Sequence, residues 1–216
     1  MVVAGGDEKK ARIAVFVSGG GTNLQALIHA QGAVMKDGKI VVVIANNSKA
    51  FALERAKKAG IPSAVILRKS LGSQQAFEAA IIAVLEQYQV DLIVLAGFMT
   101  ILSPEFTKAY EGRIINVHPS LIPKYSGAGY YGLKVHEAVL AAGEKVTGAT
   151  VHYVNEIPDG GRVILQKEVA VEPEDTPEIL QKRVMEQAEW VILPEAVQML
   201  SEKIALNKEI CKACKE

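Results

Sequence analysis

Cysteine is scarce in this chain: two residues in 216, Cys211 and Cys214, both in the charged ending Cys-Lys-Ala-Cys-Lys-Glu. That excludes a disulfide framework, and a lone Cys-x-x-Cys is half a zinc site with no second half. Net charge is also lacking, with 24 Lys and Arg against 24 Asp and Glu. No global field therefore attracts nucleic acid or an anionic membrane, and neither partner is expected. No apolar run is long enough to span a bilayer. Gly5-Gly-Asp-Glu-Lys-Lys10 is polar where a signal peptide needs an apolar stretch, so a cytoplasmic location is expected. What is present is ordinary for a globular protein: 50% hydrophobic and 22% charged residues. A chain of this length buries roughly 70% of its unfolded surface and needs no disulfide or metal staple.

Two patterns alternate along the first half. Ile13–Val17, Ile40–Ile44, Ala64–Leu67, Leu92–Leu95 and Ile114–Val117 are short runs apolar on both faces. Such runs suit strands covered on both sides, hence a parallel sheet. Between them lie helical stretches: one after Gly21, Phe51–Ala59 stopped by Gly60, Ser73–Tyr88, and a short helix from Ser103-Pro104. The alternation predicts a doubly wound, mostly parallel α/β sheet of the Rossmann-like kind. From Lys145 the pattern changes to a C-terminal antiparallel hairpin, Val146–Val154 with Arg162–Val171. A last long helix is expected from Thr176-Pro177 to Leu200, with Ile179, Leu180, Val184, Val191 and Ile192 turned inward. The whole chain, 1–216, reads as one domain with tails at 1–11 and 205–216.

Two segments carry chemistry. Val17-Ser-Gly-Gly-Gly-Thr-Asn23 joins the first strand to the first helix. Glycines let backbone approach an anion, and the helix start offers N–H groups and a positive dipole end. The turn is neither a Walker A loop nor the G-x-G-x-x-G fingerprint, so a single phosphate fits better than a dinucleotide. The plain alternative is a tight turn that needs glycine. In Asn116-Val-His-Pro119, Asn116 and His118 project to one side at the end of a strand, the edge where ligands bind in α/β sheets. An amide donor beside an imidazole suits a developing oxyanion, whereas an isolated pair could equally be a hydrogen-bonded strand end. Asp159 lies in the shaped loop Ile157-Pro-Asp-Gly-Gly161. If the fold brings it to His118, it would raise the histidine pKa and keep the ring charged. His152 sits in a strand and reads as a packed or hydrogen-bonded histidine rather than a catalyst; His29 and His136 read as helix positions with surface or packing roles.

Taken together, Val17–Ala26, Leu95-Ala-Gly-Phe-Met-Thr-Ile-Leu-Ser-Pro104, Ile115-Asn-Val-His-Pro-Ser-Leu-Ile-Pro-Lys-Tyr125 and Asp159-Gly-Gly161 resemble the glycinamide ribonucleotide transformylases of the folate-dependent formyltransferase superfamily. The resemblance covers nearly the whole chain. It implies formyl transfer from 10-formyltetrahydrofolate to the amine of 5-phosphoribosylglycinamide in purine biosynthesis, with no metal. The family's catalytic residues fall on Asn116, His118 and Asp159. Its phosphate turn falls on Gly21, Thr22 and Asn23. Its folate side falls on Met99, Thr100, Ile101 and Leu102, with Asn116 reached from both substrates. The ribose-contacting glutamate falls within Glu186–Glu189, with Glu189 the choice. Departures are Thr100 and Gln74 where many members carry arginine, and a longer Gly127–Glu137 segment. The related hydrolase and transfer-RNA formyltransferase would carry a further domain. A non-catalytic phosphometabolite-binding module is the rival of another class. Monomer and homodimer are both compatible with the sequence.

Overall fold

The computed structural model describes residues 9–213. Cys214 and most of the expected N-terminal tail lie outside the described residues. The chain forms two compact units, one running to Thr100 and resuming at Pro194, the other spanning Ile101–Leu193.

In the first unit, strands β1 (Ala11–Val17), β2 (Gly38–Ala45), β3 (Ser63–Val65) and β4 (Leu92–Leu95) lie in the order β3-β2-β1-β4. Each neighbouring pair is parallel. Ile13 to Val17 are buried without interruption, which explains why β1 is apolar rather than alternating. Helices α1 (Thr22–Ala30), α2 (Ala52–Lys58), α3 (Arg68–Leu71) and α4 (Gln74–Gln87) connect the strands. The Ser73 side chain caps α4 by accepting from the Ala76 N–H, and Phe77, Ile81 and Leu85 form its buried row. The single turn α3, ended by Gly72 at φ +76°, is too short to leave a periodic signal.

The second unit holds α5 (Pro104–Ala109), β5 (Ile114–His118), α6 (Leu133–Ala141), β6 (Val146–Tyr153), β7 (Val163–Ala170) and α7 (Pro177–Val184). β5 pairs antiparallel with β6, and β6 with β7. Register sets Asn116 opposite His152 and His118 opposite Thr150. All four side chains therefore share one face of the ladder. Seven strands, mostly parallel, with the β6–β7 hairpin and a long final helix, make the α/β fold that the sequence pattern predicts.

The final helix differs from expectation. A π-helical turn, Met185–Glu189, separates α7 from α8 (Trp190–Ala213). The buried row Leu180, Val184 and Ala188 continues as Ile192 and Ala196, and from the π turn onward a second, adjacent row is buried beside it, Glu189, Leu193 and Val197. A π turn holds one residue more than an α turn, and the buried face is wider beyond it than before it. Ile179, expected inside, is exposed. α8 also continues past Leu200 into the segment expected as a tail. Lys208 Nζ is one anchor there, donating to the Lys10 carbonyl at 3.2 Å and to the Asp91 carboxylate.

Candidate active site

The glycine turn is built from backbone. The Ser18 carbonyl accepts from Asn47 Nδ2 at 3.1 Å, and the Gly19 carbonyl from the Ala52 N–H at 3.1 Å. The Gly20 carbonyl accepts from Arg55 Nε at 2.8 Å, and the Gly21 carbonyl from the Gln25 N–H at 2.9 Å. Four successive carbonyls are thus turned toward protein donors. Among the described residues, none accepts from the N–H of Gly19, Gly20 or Gly21. N–H groups at a helix start are what an anion needs. Gly21 takes φ +71°, and a Cβ there would meet Ala52 Cβ at 2.6 Å. At Gly20 a Cβ would meet nothing within 4 Å. The helix α1 has no side-chain cap; its first N–H groups lie next to this turn. Thr22 opens α1 and Asn23 is buried.

The second group is built from side chains. Asn116 and His118 stand two apart on β5, and Asp159 reaches His118 from the β6–β7 loop. Asp159 adopts φ +55°, a left-handed conformation that aspartate tolerates better than most residues. Gly161 follows because a Cβ there would lie 1.7 Å from the Tyr153 carbonyl oxygen. Asp159 Oδ2 accepts from the Gly127 N–H at 2.8 Å and lies 3.4 Å from His118 Nδ1. Its Oδ1 lies 3.5 Å from His152 Nε2. His118 Nε2 donates to the Tyr125 carbonyl at 2.8 Å, and Asn116 Nδ2 meets His152 Nε2 at 3.2 Å. The loop therefore does bring Asp159 to His118, which sequence spacing alone could not establish. The Tyr125 carbonyl and Gly127 N–H were missed, because backbone partners on an irregular loop leave no residue-type signal.

Electrostatics correct one expectation. His118 was expected to be held charged by Asp159. Its pKa is instead below the ordinary 6.5, because burial outweighs the pull of Asp159 and the Tyr125 carbonyl, and His152 adds to the lowering. His118 is only 5% exposed, so desolvation is strong. With its Nε2 proton on a carbonyl, the neutral ring turns a bare Nδ1 toward Asp159. For Asp159, burial works against the charge, but His152, His118 and the Gly127 N–H together hold the carboxyl below its ordinary value. His136 on α6 is buried completely, with neither ring nitrogen hydrogen-bonded, and burial together with His118 brings its pKa down to about 4.

Of the remaining candidates, Glu189 is 6% exposed in the π turn. Glu186 is exposed and lies 3.8 Å from Lys182. The π turn thus carries inward the glutamate nearer Pro194. Met99 and Ile101 expose 57% and 75% of their surface, while Leu102 is buried. The Met99 N–H donates to Ser18 Oγ at 2.8 Å, and Thr100 Oγ1 accepts from Asn46 Nδ2 at 2.6 Å. Gln74 donates to Glu78 within α4. No group of three or more His, Cys, Asp or Glu among the described residues is arranged to hold a metal ion. No helix among them is long and apolar enough to cross a membrane.

An Asn–His–Asp cluster around a buried histidine at a strand end of an α/β fold, with a glycine turn opening the first helix, is the equipment of a group-transfer enzyme. The model of the family described as formyl transferase matches residues 11–197, and the chain belongs to that family. The resemblance read from its motifs is borne out. The phosphoribosylglycinamide formyltransferase of Haemophilus influenzae is 44% identical over 191 residues, 88% of this chain and 87% of that protein. The trifunctional purine biosynthetic protein adenosine-3 of Gallus gallus is 44% identical over 205 residues, 95% of this chain. This chain spans 20% of that protein's length. The solved phosphoribosylglycinamide formyltransferase of Coxiella burnetii superimposes with a TM-score of 0.82 at 42% identity, covering 90% of this chain and 88% of that one.

Proposed function

We propose that this chain acts as a single formyltransferase domain that moves a formyl group from 10-formyltetrahydrofolate to the amine of 5-phosphoribosylglycinamide, in the cytoplasm. The observation that carries the reading is the Asn116–His118–Asp159 cluster in a chain 44% identical to a protein of that name over most of both lengths. The three N–H groups of Gly19–Gly21, followed by Thr22 and Asn23, take the phosphate, and Glu189 takes the ribose. Met99, Thr100, Ile101 and Leu102, with Gln74, serve the folate side.

Formyl transfer forms a bond from the amine nitrogen to the formyl carbon and breaks the bond from that carbon to the folate nitrogen. The amine gives up one proton and the folate nitrogen gains one. While the carbon is tetrahedral, its oxygen carries negative charge. The Asn116 amide N–H stabilises that charge. So does the His118 Nε2–H, which passes from the Tyr125 carbonyl to the oxygen. A neutral imidazole serves as such a donor, so the lowered pKa suits the role. The bare Nδ1 and the ionised Asp159 are the bases that take the amine proton and return it to the leaving nitrogen, with Asp159 stabilising the imidazolium while it exists. No residue step needs a metal.

The test is an optical assay of tetrahydrofolate release with phosphoribosylglycinamide as acceptor. Release that requires the acceptor is expected. Release at an unchanged rate without it would instead indicate hydrolysis of the donor.

A further inference from the structure

His152, read from the sequence as a packed or hydrogen-bonded strand histidine, sits directly across the β5–β6 ladder from Asn116. It is buried, and both of its ring nitrogens are engaged. Nδ1 lies 2.8 Å from the Tyr153 carbonyl oxygen, which can only accept. A neutral imidazole has one N–H, so that contact places the proton on Nδ1 and leaves Nε2 as an acceptor. Nε2 lies 3.2 Å from Asn116 Nδ2, which can only donate. The reversed amide would set the Asn116 carbonyl oxygen against a bare ring nitrogen, two acceptors facing each other. One tautomer therefore permits one orientation of the amide. Among the described residues none takes the second Asn116 N–H or its Oδ1.

We infer that His152 is a positioning residue for formyl transfer: with its tautomer fixed by the Tyr153 carbonyl, it clamps the Asn116 amide so that one N–H and the carbonyl oxygen are presented to the substrates. The free N–H then meets the formyl oxygen, and Oδ1 can accept from the attacking amine and aim its lone pair. The inference rests on the functional reading above, extending it to the residue that sets the amide. The Tyr153 carbonyl is itself held in a close approach that requires Gly161. The Asp-Gly-Gly loop thereby supports the amide as well as placing Asp159. A proton on Nε2 is the competing arrangement: it would serve Asp159 Oδ1 at 3.5 Å, the contact through which His152 lowers the Asp159 pKa, and would set the Asn116 carbonyl oxygen, not its N–H, against the ring.

The first measurement needs no turnover. Long-range proton–nitrogen correlation on the full chain, labelled with ¹⁵N histidine and held at a pH where imidazoles are mostly neutral, reads the His152 tautomer. A protonated Nδ1 with a bare Nε2 is expected; a protonated Nε2 overturns the inference. The second compares two variants under saturating substrates. His152→Phe keeps the ring shape without an acceptor, and kcat should fall about 10- to 100-fold while each KM stays within about threefold. His152→Gln returns an acceptor oxygen, and kcat should recover to within about threefold of the parent. Undiminished kcat in His152→Phe, or no recovery in a folded His152→Gln, overturns it. If the parent chain transfers no formyl group, the functional reading fails, while the tautomer measurement still decides the clamp.

Discussion

The glycine turn and the Asn–His–Asp cluster solve different problems with different materials. The turn presents backbone N–H groups, with its carbonyls tied by Asn47, Ala52, Arg55 and Gln25. In the proposed function its selectivity for an anion comes from geometry, with no titrating group of its own. The cluster is made of side chains whose charge states are set by burial and by one another: His118 and Asp159 both lie below their ordinary pKa values, and His136 lies near 4. The difference teaches that the proposed binding role is written into a short contiguous string, whereas the proposed catalytic role depends on where the fold removes water.

The sharpest way to break this contrast is to change charge in the cluster without changing shape. Asp159→Asn should cut turnover by about 10²-fold or more, the scale for a positioned acid–base or oxyanion element. It should also lower the His118 pKa further, since the carboxylate is what opposes burial there, and ring NMR titration of both proteins checks this. Substrate affinity measured by calorimetry should change far less.

Next in size is stability against pH. His136 has a folded pKa of about 4 against an unfolded value of 6.5. As pH falls through that window the unfolded chain takes the proton first, so stability is full above 6.5 and is lost toward 4. The loss from this one group is about 3 kcal/mol. The lowered His118 works in the same direction, whereas Asp159 loses its contribution only as the carboxyl protonates, below its ordinary 3.8. Denaturant unfolding across this range should show the decline, and His136→Phe should flatten it.

A smaller effect is expected on the other side of the comparison. Gly20→Asp sets a carboxylate on the open face of the turn and should weaken phosphoribosylglycinamide binding about 10-fold or more, with His118 titrating as before. Gly21→Val is the poorer probe, because φ +71° and the approach to Ala52 would strain the fold itself. The smallest effect is that of Thr100→Arg, which should tighten a glutamate-tailed folate donor by about 0.2–1 kcal/mol at low salt, and less as salt rises. An unchanged donor dissociation constant at low salt would remove Thr100 from beside that tail.

What could be read in advance follows the same division. The strands of the first half were legible because residues such as Ile13–Val17 are buried on both faces, and the caps Ser73, Ser103 and Thr176 are local signals. Asn116 and His118 were legible as a pair because a strand's period is two. The sign of the His118 shift was not, since a carboxylate can be seen in a sequence but desolvation cannot. Ile179 was misread because it sits in the first turn of α7 beside the buried Leu180, and residue type alone does not say which of two adjacent apolar residues faces inward. His152 was read as packed or hydrogen-bonded, as it is, but its partner Asn116 was not legible, because it lies 36 positions away and only the β5–β6 register puts the two face to face.

One measurement addresses formyl transfer by this cluster most directly. A donor carrying a ¹³C formyl carbon is mixed with phosphoribosylglycinamide whose amine is ¹⁵N, and the product is observed by NMR. We expect a one-bond carbon–nitrogen coupling to appear, at a rate that collapses in Asn116→Ala. Label accumulating as free formate, or coupling that appears as fast without the asparagine amide, would contradict the assignment.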